Sequence, residues 1–202
     1  MYRELLEQRL EALRRQEALA LRLLEIGRPI KEDAVKRLAA ELPYELPAVL
    51  LDFYREMDGV KLSWSVNREE GEIYGGILIL SLREGLFGYA KRVERARLDD
   101  AFEDVLWNED SYEESSIRKL RKHRVFESVE GAPAFVTYQP PAAKLFHVYE
   151  EELQAIRPAF ADYVRLLFQH LGGGQLREHL TERDWKRRIK EDAELQTIAG
   201  WS

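Results

Sequence analysis

Hydrophobic positions at the start of the chain return at helical spacing. Leu6, Leu10, Leu13, Leu21 and Leu24 lie three residues, four residues or sums of these apart, with Glu and Arg between them. That period predicts one amphipathic helix over residues 3 to 25, stopped by Gly27 and Pro29. A leucine stripe of this kind packs on its own domain or forms a dimer seam, and Glu17 interrupts the heptad that a seam requires. A second helix is predicted over 31 to 42, with Val35, Leu38 and Leu42 on one face and Pro43 ending it. Pro47 suits a first helical position and opens a third helix, which buries Val49, Leu50, Phe53, Tyr54 and Met57 before Gly59.

After Gly59 the period changes. Residues 60 to 66 alternate in the manner of a strand, 67 to 71 form a polar turn, and 72 to 82 form the partner strand. Gly75-Gly76 marks a bulge or a point where another backbone comes close. Residues 83 to 97 are rich in Arg and Lys and carry no clear period. Two short helices are expected over 98 to 107 and 111 to 121, around an acidic loop. Residues 125 to 129 and 134 to 138 flank Gly131 as a hairpin. Pro140-Pro141 makes a turn, and 144 to 149 is a further strand. Arg157-Pro158 opens a last core helix, with Phe160, Tyr163, Val164, Leu167 and Phe168 on its buried face. Gly172-Gly173-Gly174 reads as a flexible end, and 175 to 197 as a charged helical tail. Helices, then strands, then a helix predict an α+β fold. Its mostly antiparallel sheet is packed by helices on one side, with extra N-terminal and C-terminal helices. The expected organisation is an N-terminal helix over 1–26, an α+β domain over 27–171, and a glycine linker with a charged tail over 172–202.

Composition narrows the function classes. Hydrophobic residues are 45% and charged residues 34%, and four Trp, nine Tyr and eight Phe suffice for one well-buried core. The net charge of -6 disfavours a nucleic-acid backbone as partner. With no Cys, disulfides, thiolate metal sites and cysteine nucleophiles are excluded. The first residues lack the apolar core of a signal peptide, and no apolar run approaches the roughly 20 residues of a membrane span. A cytoplasmic protein with no membrane partner is expected.

No grouping of residues points to catalysis. His123, His147, His170 and His179 form no i, i+4 pair of a helical zinc site, and His147 reads as a half-buried strand residue. Ser81 has no flanking glycines of a nucleophile elbow. The glycine triplet lacks the Lys-Ser/Thr of a phosphate loop. Glu150-Glu151-Glu152 reads as the first turn of a helix, matched to its dipole. The expectation is a non-enzyme with no cofactor and no metal.

Several segments, taken in order, resemble one family. Leu46-Pro47, Phe53-Tyr54 and Asp58-Gly59 resemble the LP…F…NG signature that opens the SUKH superfamily, the Smi/Knr-type domain. Trp64 follows at the family's aromatic position. Residues 75 to 82 resemble its glycine-led strand, and 125 to 138, 144 to 149 and 160 to 164 its closing hairpin, strand and helix. The likeness covers residues 27 to 171. It departs at Asp58, where Asn is usual, and at 83 to 124. The resemblance implies an α+β fold with no enzymatic activity and no cofactor. Its bacterial members serve as immunity proteins that neutralise a cognate toxin by direct binding. Its fungal members act as regulatory scaffolds that assemble protein complexes, which is the alternative role.

One charge feature offers a binding face. Asp99, Asp100, Glu103, Asp104, Glu109, Asp110, Glu113 and Glu114 have no Lys or Arg among them, and Trp107 and Tyr112 sit within the run. Glu69, Glu70 and Glu72 extend it on the turn before the glycine-led strand. The run is either a solvated face or an acidic docking surface with aromatic anchors for a basic toxin domain. Arg118, Lys119, Arg121, Lys122 and Arg124, and Arg183, Lys186, Arg187, Arg188 and Lys190, balance charge across helix faces or clamp nucleic acid; the negative total favours the first. The expected partner is a cognate toxin domain or another protein, bound by a monomer or a weak homodimer.

Overall fold

The computed structural model describes residues 1–69, 71–87, 119–120, 122–129, 134–149 and 152–201. Among these residues, seven strands follow one another as an antiparallel meander in the spatial order β1 to β7. They are β1 (Leu19–Ile26), β2 (Val60–Arg68), β3 (Gly71–Ile79), β4 (Arg124–Val129), β5 (Ala134–Gln139), β6 (Lys144–Tyr149) and β7 (Glu152–Ala155). The helices among the described residues are α1 (Tyr2–Arg14), α2 (Glu32–Ala40), α3 (Ala48–Glu56), α4 (Leu82–Phe87), α5 (Phe160–Gln169), α6 (Leu176–His179), α7 (Trp185–Glu191) and α8 (Ala193–Ala199). The fold is α+β, as the order of periods predicts.

The first correction lies at the N-terminus. The helix predicted over 3 to 25 ends at Arg14, and Ala18 takes a left-handed φ of 54° that turns the chain back along β2. Leu19, Leu21 and Leu23 alternate as strand residues do, and their spacing was compatible with both periods. A register shift between Leu21 and Leu23 changes the phase, so Leu19, Leu24 and Ile26 all reach the core. What remains of the helix buries Tyr2, Leu6, Leu10 and Leu13 against α3 and α5.

Phe53 on α3 sits at the centre of the core. Its ring meets Tyr2, Tyr54, Phe126, Phe160 and Phe168, mostly edge to face with centroids 5.1–6.4 Å apart. Phe53, Trp64 and Phe160 belong to one cluster. On the opposite sheet face, Leu80, Leu120, Val125, Phe135 and Val148 form a second, smaller one; strand alternation requires this, because Phe126 and Val136 point to the first.

The second correction lies at the C-terminus. The glycine triplet is a packed turn and not a flexible end. Leu171 and Gly172 take left-handed φ values of 50° and 67°, and a Cβ on Gly172 would stand 2.1 Å from the Gly76 carbonyl oxygen. The charged tail folds back as α6 to α8, burying Leu176, Leu180, Leu195 and Ile198 completely. Trp201 packs on Trp64 at 5.3 Å, and Arg9 donates to the Trp201 and Ile198 carbonyls. The third correction concerns Glu150-Glu151-Glu152, read as a helical first turn: Glu152 opens the edge strand β7.

Candidate functional site

The sheet opens between β3 and β4. Among the described residues these strands pair only at Leu78 with Ser128 and Ile79 with Glu127, whereas β3 pairs with β2 along all nine of its residues. Beyond Ile77 the Gly172-Gly174 turn takes the place beside β3. Gly173 bridges to Gly75, and the Gly76 amide donates to the Gly172 carbonyl. Gly75-Gly76 is therefore a close-approach point, and the bulge alternative falls away. A Cβ on Gly75 would collide with the Trp64 ring at 2.6 Å, and the Trp64 indole N–H donates to the Leu171 carbonyl at 3.0 Å.

Arg177 of α6 closes this gap. Its guanidinium donates to the Gly172 carbonyl (3.1 Å), the Gly76 carbonyl (2.8 Å) and the buried Glu127 carboxylate. Glu127 reaches it because a register shift between Val125 and Glu127 leaves Phe126 and Glu127 both facing the helices. The Tyr163 hydroxyl donates to the second Glu127 oxygen. Burial opposes the Arg177 charge, but Glu127 and Tyr163 outweigh it and hold the guanidinium above its ordinary range. Burial, reinforced by the Glu127 charge, keeps the Tyr163 hydroxyl well above the usual phenol range.

His147 stands beside this group. The sequence suggests a half-buried residue, but it is 2% exposed, and its Nε2 has no hydrogen-bond partner among the described residues. Burial lowers its pKa, against an opposing pull from Glu178. Among the described residues no three His, Asp or Glu side chains converge to hold a metal.

A cleft of about 760 Å³ runs along the opening. Glu72, Tyr74, Glu178, Asp192 and Glu194 line it, with Arg177 in its wall. The basic lining groups are Arg22 and Arg177, and both are engaged: Arg22 faces Glu72 at 3.8 Å, and Arg177 is held by Glu127. Asp192 accepts from the Leu195 amide as the α8 N-cap and pairs with His179 at 2.9 Å. Burial, then the neighbouring Asp192 charge, raises the Glu194 carboxyl pKa.

Of the acidic residues singled out from the sequence, Glu72 lines this cleft and Glu69 is exposed at the β2–β3 turn. Glu70 and the run from Asp99 to Glu114, with Trp107 and Tyr112, lie outside the described residues. Sequence reasoning missed Tyr74, Arg177, Glu178, Asp192 and Glu194. One signal was available: Glu127 interrupts an otherwise apolar strand, and a buried carboxylate requires a cationic partner.

The Asp-Gly pair has a structural role. Gly59 (φ 95°) lies against the Ile79 carbonyl, and Asp58 accepts from the Leu82 amide at 2.7 Å. Beside it Ser81 and Glu84 form a capping box: the Glu84 amide donates to Ser81 Oγ, and the Ser81 amide to the Glu84 carboxylate. Burial, and then the Glu84 charge, raises the Asp58 pKa.

No family model, curated protein or solved structure matches this chain.

Proposed function

We propose that this chain is a non-catalytic protein-binding domain of the SUKH type, which acts as an immunity protein by covering a cognate toxin domain. The observation that carries the reading is positional. Leu46-Pro47 leads into α3, Phe53 fills the centre of the core, Asp58-Gly59 makes the turn into β2, and the Trp64 ring packs on Gly75. The segments that resemble the family are thus the joints of a single α+β core, in the family's order. The acidic character of the cleft and of the run from Asp99 to Glu114 supports a basic target, because complementary charge speeds encounter and suppresses wrong partners.

The scaffold alternative would use the terminal helices as assembly arms. Both are packed into the core here, through Arg9, Trp201 and Trp64. Cytoplasmic location belongs to the same proposal; among the described residues, no helix is long and apolar enough to cross a membrane. The test is co-expression with the product of the neighbouring gene. The expected result is rescue of growth together with a stoichiometric complex that co-purifies. A neighbouring product that is harmless alone, or toxic and unaffected by this chain, overturns the immunity role.

A further inference from the structure

We propose that the open edge of β3 receives an extended, Lys- or Arg-bearing segment of a partner protein as an added strand, in the acidic cleft between β3 and α6. This names the docking element and the partner chemistry for the binding role proposed above, and it rests on that reading.

The geometry begins with the backbone. The Gly76 amide points across the gap to Gly172 and the Leu80 amide to Phe126, away from β2. Hydrogen-bonding direction repeats every second residue along a strand, so the backbone groups of Glu72 and Tyr74 face the same way. Among the described residues the Tyr74 amide and both backbone groups of Glu72 have no backbone partner on that side. The edge borders open space: Glu72 and Tyr74 both line the cleft. Backbone groups left unpaired on a strand edge, as these three are among the described residues, are a template for another chain, and peptide recognition uses such edges widely.

Charge selects the occupant. Four carboxylates line the cleft, and its two cations are already paired. An acidic or neutral strand would meet an uncompensated negative wall from Glu178 and Glu194, whereas Lys or Arg on alternate positions would face it favourably. Tyr74 offers the added strand an aromatic neighbour on the sheet face.

The test pans a random-peptide phage library on the full chain. The selected peptides are then measured on two variants. Tyr74→Pro removes the outward amide without touching the β2 ladder. Glu72→Lys with Glu178→Lys reverses two exposed charges and leaves the fold in place, which circular dichroism checks. We expect proline-poor, Lys/Arg-bearing peptides, weakened about tenfold or more by each variant and weakened in the native chain by added salt. Hydrogen exchange of the Glu72 and Tyr74 amides should slow when peptide binds. The inference is overturned if no peptides are enriched. It is also overturned if the enriched ones are neutral or acidic, or bind Tyr74→Pro as tightly as the native chain. Growth rescue without such peptides overturns this inference alone; such peptides without growth rescue overturn only the immunity role.

Discussion

Arg177 and Glu127 are 4% and 0% exposed, which makes each charge costly without the other. A buried pair of this kind contributes little against an apolar replacement of both partners, but removing one leaves an uncompensated charge. Replacing Arg177 by Leu strands Glu127 and also strips donors from the Gly76 and Gly172 carbonyls. We expect a loss of about 3–5 kcal/mol in urea unfolding. Combining it with Glu127→Leu should recover part of that loss, because the orphaned carboxylate is then gone. A single variant within about 1 kcal/mol of the native chain would show that the pair is not buried as described. This site was half legible in the sequence. A carboxylate inside Val125-Phe126-Glu127-Ser128-Val129 announces an internal cation, but nothing in a linear pattern says that the cation comes from a distant charged segment.

At the scale of elements, strands β2 to β6 and the central helices follow from period alone. Alternation places β2 and β3, β4 and β5 fall on the two predicted hairpin strands, and the aromatic stripe of α5 falls on its buried face. Failures occur where two periods coincide or where charge density hides sparse apolar anchors. Leu19 to Leu24 satisfies both strand and helix spacing, and only pairing with β2 decides between them. The C-terminal segment carries few apolar residues among many charges, yet Leu176 with Leu180, and Leu195 with Ile198, sit at helical spacing and are fully buried. Truncation therefore does not separate an immunity protein from a scaffold in the way that free terminal arms would allow. Removing residues after 174 exposes Trp64 and deletes Arg177, so we expect a chain that loses its near-ultraviolet circular dichroism and binds hydrophobic dye. A truncated chain with native near-ultraviolet signal and cooperative unfolding would show that α6 to α8 are dispensable.

Over the whole molecule, buried imidazoles set the response to acid. Burial, helped by the Arg124 charge, lowers the His123 pKa to about 4 while its Nδ1 shares a hydrogen bond with Thr137 Oγ1. His147 and His170 are lowered as well, chiefly by burial, His170 against the opposing effect of its bond to the Leu195 carbonyl. A folded pKa below the unfolded value of roughly 6.5 means that the unfolded chain binds more protons in between. The His123 contribution is therefore full above about pH 6.5 and is lost as the pH falls towards about 4, and those of His147 and His170 change in the same direction. One pKa unit corresponds to about 1.4 kcal/mol, so His123 alone accounts for up to ~3 kcal/mol across that window. The raised carboxyls of Asp58 and Glu194 act with the opposite sign: they are stranded as anions at neutral pH, and protonation relieves them. Their effect sets in near their ordinary values, at the bottom of the histidine window, and extends upward, so it offsets part of the histidine contribution. Urea midpoints measured between about pH 7.5 and 5 should fall steadily, and His123→Gln should flatten the slope even where it lowers the midpoint at neutral pH. A slope that His123→Gln leaves unchanged would mean that His123 titrates as it does in water, and that its side of the sheet is wetter than its packing requires.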